Sequence, residues 1–430
     1  MFRRHLLIAL SLLFCADACA PRTCYVSCEP TLTCINIIDQ NGTSETISNL
    51  ERLQKFSTVD FLKPQPYQKV LRVFSRDECG NVPSYITSYH PNGIPNQYLE
   101  VVNGRAKGTY LEWYQDGTQK ISGTIIGGAA DLTSTAIETW LFDGSNTAWD
   151  EEGRLEAKLQ YCKGDLHGIC IYYHKNGEIW KKVPFIRGKI DGVVEVFVEN
   201  GEPFQKASYT QASKNGPCLR YWCDGSIASE ECYSFSKLLN GCYFDRNGKH
   251  VAEVTEGTGF RATFGKESIT ELQEYTNGVQ EGEVQVFAKA GGIVQKYRTK
   301  NGYKHGEEYW YYDRLTSGQQ PKPKLMVTWY AGKIQGVTKT WFPNGNQESL
   351  REMSNNNKNG MSTAWYEDGN IMLIEEYEKD KILKGEYYKK GDFVPVSQVI
   401  EGRGTATLYD ADGSYLRKIE YNRGTPEETL

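Results

Sequence analysis

The sequence predicts an all-β chain, an elongated antiparallel meander of tandem β-hairpins of about 24 residues each. Three observations lead there. Glycines recur in G-x3-G pairs at a fixed period, which marks a repeat architecture. Composition favours strands and turns over helices, with 28 Tyr and 42 Gly against 5 Met. Aromatic runs stand just before Asn-Gly or Asp-Gly pairs, the strongest short hairpin signal.

Residues 1–18 read as a signal peptide. Met1 to His5 is a basic start, Leu6 to Phe14 is an apolar run broken by Ser11, and Ala16-Asp17-Ala18 is a small-x-small site. The run is shorter than the roughly 20 residues that span a bilayer. Export to the cell envelope (outer membrane or periplasm) or secretion is therefore expected. Cys19 follows the site directly and is the candidate for lipidation, although Ala16 and Asp17 depart from the usual lipobox. Removing Cys15 with the leader and acylating Cys19 leaves an even number of the twelve cysteines, which suits disulfides in an exported chain. Residues 19–84 form a cysteine-containing segment with no repeat signal, read as a tether. Cys24, Cys28 and Cys34 could pair with one another, with Cys79 or with another chain.

The array occupies residues 85–430. Gly108 with Gly117 opens it, followed by Gly168 with Gly177, Gly192 with Gly201, and Gly216 with Gly225. Gly336 with Gly345 and Gly360 with Gly369 repeat the pattern. Gly168, Gly192 and Gly216 stand 24 apart, as do Gly336 and Gly360. Each unit reads as a strand, a type I′ turn at Asn-Gly or Asp-Gly, a second strand, and a longer turn at G-x3-G. Gly188 through Gly241 recur 144 residues later as Gly332 through Gly385, so about 188–278 and 332–424 are two copies of one block.

These glycines and aromatic pairs, best kept at Gly164–Gly177, Gly332–Gly345 and Asn357–Gly369, resemble the MORN-repeat variant of the bacterial YwqK-family antitoxin-like group. The resemblance spans roughly residues 89–424. It implies a β-hairpin array that serves as a contact surface and assigns no single activity.

The expected function is an exported, non-enzymatic scaffold that binds protein partners. Trp113, Trp222, Trp310, Trp341 and Trp365 occupy similar places in their units and are the candidate binding face, because such residues dominate interface hot spots. An aromatic stripe also stacks on sugars, so glycan or cell-wall binding is an alternative. A cytosolic antitoxin-like inhibitor is a third reading. Net charge is −5 with no basic stripe, which argues against nucleic acid. No catalytic residue, metal site or cofactor is indicated: H-E-x-x-H, G-x-S-x-G and Walker loops are missing, and no Cys-x2-Cys pair occurs. Glu307-Glu308 and Glu375-Glu376 point to opposite faces of their strands and cannot act together locally. Histidines beside turns, such as His174, read as solvated. Cys162 and Cys170 flank Leu166 symmetrically, and a symmetric hairpin would bridge them. Cys218, Cys223, Cys232 and Cys242 form a second cluster, read as local disulfides. Unpaired strands at the ends of the array favour self-association.

Overall fold

The computed structural model describes residues 30–289, 291–312 and 321–427. Residues 1–18, expected to be a leader, and Cys19, Cys24 and Cys28 lie outside them. The chain divides into two compact units, residues 1–119 with 124–141, and residues 120–123 with 142–430.

In the first unit the stretch expected to be a tether is folded from Pro30 onward. Leu32–Asp39 pairs antiparallel with Ser44–Ile47 on one side and Tyr67–Phe74 on the other. Ile35, Ile37, Ile47 and Val70 point to one face. The short helix Leu50–Gln54 and the turns after it cover that face with Leu53 and Phe61. Asn49 starts the helix by accepting the N–H groups of Glu51 and Arg52. Tyr89 ties the cover down, its hydroxyl donating to the Phe61 carbonyl at 2.9 Å. This segment lacks the glycine rhythm, but Ile35 and Ile37 flank Asn36 with the period-2 alternation of a half-buried strand. Pro83–Tyr89, Pro95–Val102 and Arg105–Trp113 then continue the meander.

In the second unit the long strands pair antiparallel in chain order, each hairpin beside the next. Among the described residues the last strand, Thr425–Pro426, pairs with Tyr415–Asn422 alone, so this meander stays open and does not close into a barrel. The all-β hairpin array expected from the sequence is thus present.

The turn chemistry differs from expectation. At Lys175-Asn176-Gly177 only the glycine has positive φ, +88°. The Gly177 N–H donates to the His174 carbonyl at 2.9 Å, and the His174 N–H to Glu178 at 2.8 Å. This is a type I turn closed by a glycine bulge, a three-residue loop rather than type I′. Asn176 serves it by accepting the Glu178 N–H at 3.0 Å. Asp224-Gly225 repeats the pattern, with the Ser226 N–H on Asp224 at 3.0 Å. Asn or Asp followed by Gly suits both turn types, because the side chain can bond the backbone two residues on. The two-residue turns with both φ positive stand instead at the start of G-x3-G, at Lys163-Gly164, Arg187-Gly188, Gln211-Ala212 and Asn355-Asn356. Hence the first glycine of each pair makes the tight turn. The second bends the outgoing strand: Tyr209 pairs with Lys214, but Ala207 pairs with Cys218, so the strand bulges around Gly216.

Candidate functional site

A regular meander puts all tight turns of a unit on one edge and all bulged turns on the other. Each edge has its own stapling. At the tight-turn edge one turn bonds the next through backbone groups, as Gly188 N–H to Leu166 O (2.9 Å) and Ala212 N–H to Ile190 O (2.7 Å). Side chains add to it: Asp191 accepts the Gln211 N–H at 3.1 Å and Asp380 the Lys358 N–H at 2.7 Å. At the bulged-turn edge the residue that opens each turn reaches the following turn. His90 bonds the Trp113 carbonyl at 2.9 Å and His174 the Phe197 carbonyl at 3.0 Å. Trp222, Tyr312 and Tyr366 donate in the same way to Phe244, Trp341 and Tyr388. His90 and His174 are therefore turn-stacking groups and not solvated ones, a role their place beside Asn-Gly could have suggested.

The faces carry a second recurring feature, buried carboxylates. Glu231 accepts the hydroxyls of Tyr233 (2.9 Å) and Tyr243 (3.0 Å) and the Arg261 Nε–H (2.7 Å). Burial opposes the Arg261 charge, yet Glu231 beside it outweighs that and holds the guanidinium above its ordinary pKa. The same carboxylate site returns 144 residues later: Glu375 accepts Tyr377 (3.1 Å) and Tyr387 (2.9 Å). The residue standing where Arg261 stands, two after the bulge glycine of its strand, is there the buried Ala406. Glu308 is a third case, bound by Lys304 (2.6 Å), Trp310 (3.0 Å), Trp329 (2.6 Å) and Gln295. Burial disfavours its charge, but Lys304 and these donors hold the carboxyl below its ordinary pKa. Burial of Glu308 and Glu375, beside the more open Glu307 and Glu376, matches the opposite-face reading of both acid pairs.

Most of one step of this array, from Leu166 through the bulged turn at Gly177 to Arg187, can be compared with known families. Residues 166–187 match the MORN repeat variant. MORN repeats generally act as non-catalytic scaffolds. No curated protein matches the chain. Among solved structures, a porin-like protein from Bacteroides uniformis is 10% identical with a TM-score of 0.15, over 57% of this chain and 95% of its own. A TcdB2-TccC3 structure is 11% identical with a TM-score of 0.13, over 87% of this chain and 26% of its own. The Photorhabdus luminescens Tc holotoxin pore is 9% identical with a TM-score of 0.11, over 91% of this chain and 28% of its own. This chain thus spans about a quarter of the length of the latter two.

Across the units of the array the five tryptophans do not share one position. Trp113, Trp341 and Trp365 stand five residues after the bulge glycine, Trp222 six and Trp310 four. Trp222 is buried, edge-on to Phe264 with ring centroids 5.1 Å apart, so it belongs to the core and not to a binding face. Trp310 is exposed. Trp365 lines a cleft of about 420 Å³ with Phe342, Glu348, Arg351, Tyr409 and Asp410.

Nor does the structure bring the expected cysteines together. The hairpin turns at Lys163-Gly164 rather than at Leu166, so Cys162 faces Asp165. Cys162 is exposed and Cys170 buried, and both thiols are free. Cys170 and Cys218 fill the position two residues after the bulge glycine, where other units bury Tyr110, Val194 or Val284. They act as small apolar side chains there. Cys218 opposes Glu231, and Cys232 and Cys242 oppose Pro217 and Glu230 on the other face. Cys34, Cys79, Cys223, Cys232 and Cys242 are likewise free. Among the described residues no cluster of three or more His, Cys, Asp or Glu could hold a metal.

The feature missed in the sequence lies at the tight-turn edge. Ile186, Phe235, Tyr303, Tyr330 and Ile400 all flank or occupy tight turns there and are exposed. A Cβ on Gly332 would lie 3.1 Å from the Tyr303 ring, and the Tyr330 ring is 5.1 Å from that of His305, so these aromatics form one patch. The bulged-turn edge carries Lys175, Asn176, Glu199, Asn200 and Asp224, with exposed Phe393, Val394 and Tyr415 at its last two turns. Knowing which turn was tight would have aligned the apolar positions on one edge.

Proposed function

We propose that the protein is an exported, envelope-associated scaffold that binds protein partners along the tight-turn edge of its second unit. The apolar row on that edge carries the reading. Phe235, Tyr303, Tyr330 and Ile400 are each between 60% and 68% exposed and recur at tight turns along much of the unit, whereas the exposed Phe393, Val394 and Tyr415 of the opposite edge stand only in its last two turns. Exposed apolar groups aligned in one direction mark interaction surfaces, and aromatic anchors dominate their energetics. The stapled turns hold the row in place, so little conformational entropy is lost on binding.

A photo-crosslinking residue at Tyr303 in the native cell tests this against the same residue at Asn200. The expected result is discrete adducts from position 303 and none from 200. Equal yields at both positions, or none at either, would refute the assignment. Export is tested by intact mass: the mature chain begins at Cys19, and a chain that still begins at Met1 would overturn it.

Glycan binding is a second reading, and the aromatic cleft around Trp365 favours it, with Glu348, Arg351 and Asp410 as polar partners. Saturable quenching of tryptophan fluorescence by an oligosaccharide, abolished in Trp365→Ala, would support it.

A further inference from the structure

The first unit holds a cavity of about 450 Å³ under the helix Leu50–Gln54, within the range of about 300–1,000 Å³ usual for small-molecule sites. Most of its wall is apolar, with Leu32, Leu53, Phe56, Val59, Phe61 and Phe74, and Thr31, Gln54 and Ser57 add polar groups. One cation lines it. Arg72 projects from Tyr67–Phe74 and lies over the Phe61 ring at 4.6 Å and the Tyr85 ring at 5.3 Å. Its polar partners are few. One terminal nitrogen makes a long bond, 3.4 Å, to the Thr87 hydroxyl. Its Nε is buried with no partner. No carboxylate among the described residues forms an ion pair with it. Asp60 is the acid whose charge it feels, and that carboxylate instead accepts the Leu62 N–H at 3.0 Å. Tyr85, Tyr89 and Tyr98 surround it otherwise.

A guanidinium removed from water without a carboxylate is costly, and burial lowers its pKa. Arg261 has Glu231 for that purpose, and Arg220, held between the Phe204 and Phe264 rings, donates to the Phe264 carbonyl. Arg72 has an aromatic sandwich and an apolar chamber instead. The planar fork of arginine suits a carboxylate, and the chamber suits a hydrocarbon tail.

We infer that the cavity binds a small amphipathic monocarboxylate, with Arg72 pairing the carboxylate and the Leu53–Phe61 cover enclosing the alkyl chain. This site lies in the first unit and is independent of the tight-turn edge proposed for partners. Binding is distinguished from non-specific adsorption by its dependence on charge. A charge-assisted hydrogen bond is worth about 1.5–3 kcal/mol, or roughly ten- to a hundredfold in affinity.

Titration calorimetry of the full chain with decanoate and with decanol, both below their aggregation concentrations, tests this. Decanoate is expected to bind with one-to-one stoichiometry and at least tenfold more tightly than decanol. Hydrogen exchange with decanoate bound should slow in residues 50–61 and 72–74. Arg72→Gln should bring the two affinities together, and Arg72→Lys should restore part of the gap. Equal affinities in the wild-type chain, no binding of either, or protection confined to another region would each overturn the assignment. The wild-type comparison decides the matter even if the Arg72 variants fail to fold.

Discussion

Removing Arg261 leaves Glu231 as a carboxylate in a dry site with two tyrosine hydroxyls and no cation. The Glu231 side chain is 4% exposed, and the Arg261 side chain 25%. Breaking a buried ion pair by deleting one partner costs about 3–5 kcal/mol, and the partial exposure of Arg261 places Arg261→Ala near about 3 kcal/mol. The duplicated block supplies the control. Glu375 keeps the two tyrosines but has Ala406 where Arg261 stands, so this half has already adjusted to lacking the cation. Glu375→Gln keeps an acceptor for both hydroxyls and is expected to cost only about 1 kcal/mol, one ordinary hydrogen bond. A long repeat array does not unfold in one step, so a single melting temperature would blur the comparison. Native-state hydrogen exchange, read separately over residues 228–262 and 372–408, gives the local opening energies. Arg261→Ala should lower protection in the first window and leave the second unchanged. A loss under about 1 kcal/mol, or equal losses in both windows, would refute the view that Arg261 neutralises a buried charge.

Two further outcomes follow from the same geometry. Gly360 has φ +110°, and a Cβ there would collide with the Glu352 carboxylate that accepts the Met361 N–H at 2.8 Å, whereas Gly345 has φ +100° and open space around it. Gly345→Ala should thus cost about 1–2 kcal/mol of backbone strain and Gly360→Ala clearly more, measured by urea-induced exposure of residues 336–370; equal costs would refute the clamp. Glu308 has a folded-state pKa held below its ordinary value, so its contribution is complete above the unfolded carboxyl pKa and fades as pH falls through the folded one. Protection of residues 295–312 and 321–329 should then be level from pH 7 to about 5 and drop below about 4.5, and Glu308→Gln should remove that acid-dependent drop.

The period of the array was legible because turns constrain backbone angles, and few residues besides glycine accept positive φ. Spacing alone could not say which glycine made which turn. Gly164 and Gly177 both have positive φ, and the φ of the residue before each, with the bonds between His174 and Glu178, separates a two-residue turn from a three-residue loop. That ambiguity has consequences. Moving the hairpin centre from Leu166 to Lys163-Gly164 turns a cross-strand cysteine pair into Cys162 opposite Asp165 and a buried Cys170. Because side chains alternate with period 2, an error of one position also exchanges faces: Trp222 and Tyr366, six residues after their bulge glycines, are buried, and Trp365, five after, is half-buried.

The Leu32–Phe74 cap stayed hidden for a different reason. It has no period to find, and its core joins residues far apart in sequence, Ile35 with Phe61 and Val70. Its helix is a single turn, too short to leave a 3.6-residue pattern. Yet such a cap answers a need of the array. A repeat sheet ends in a strand with unpaired backbone groups, and an apolar face with no neighbour to cover it. The helix and turns from Leu50 to Phe61 cover that face here, so the sequence change near residue 84 marks a change of device rather than the end of the fold. The C-terminal side carries no comparable cover among the described residues, and it ends in the two-residue strand Thr425–Pro426. Short strands and prolines are among the devices by which sheet edges resist pairing with a further chain.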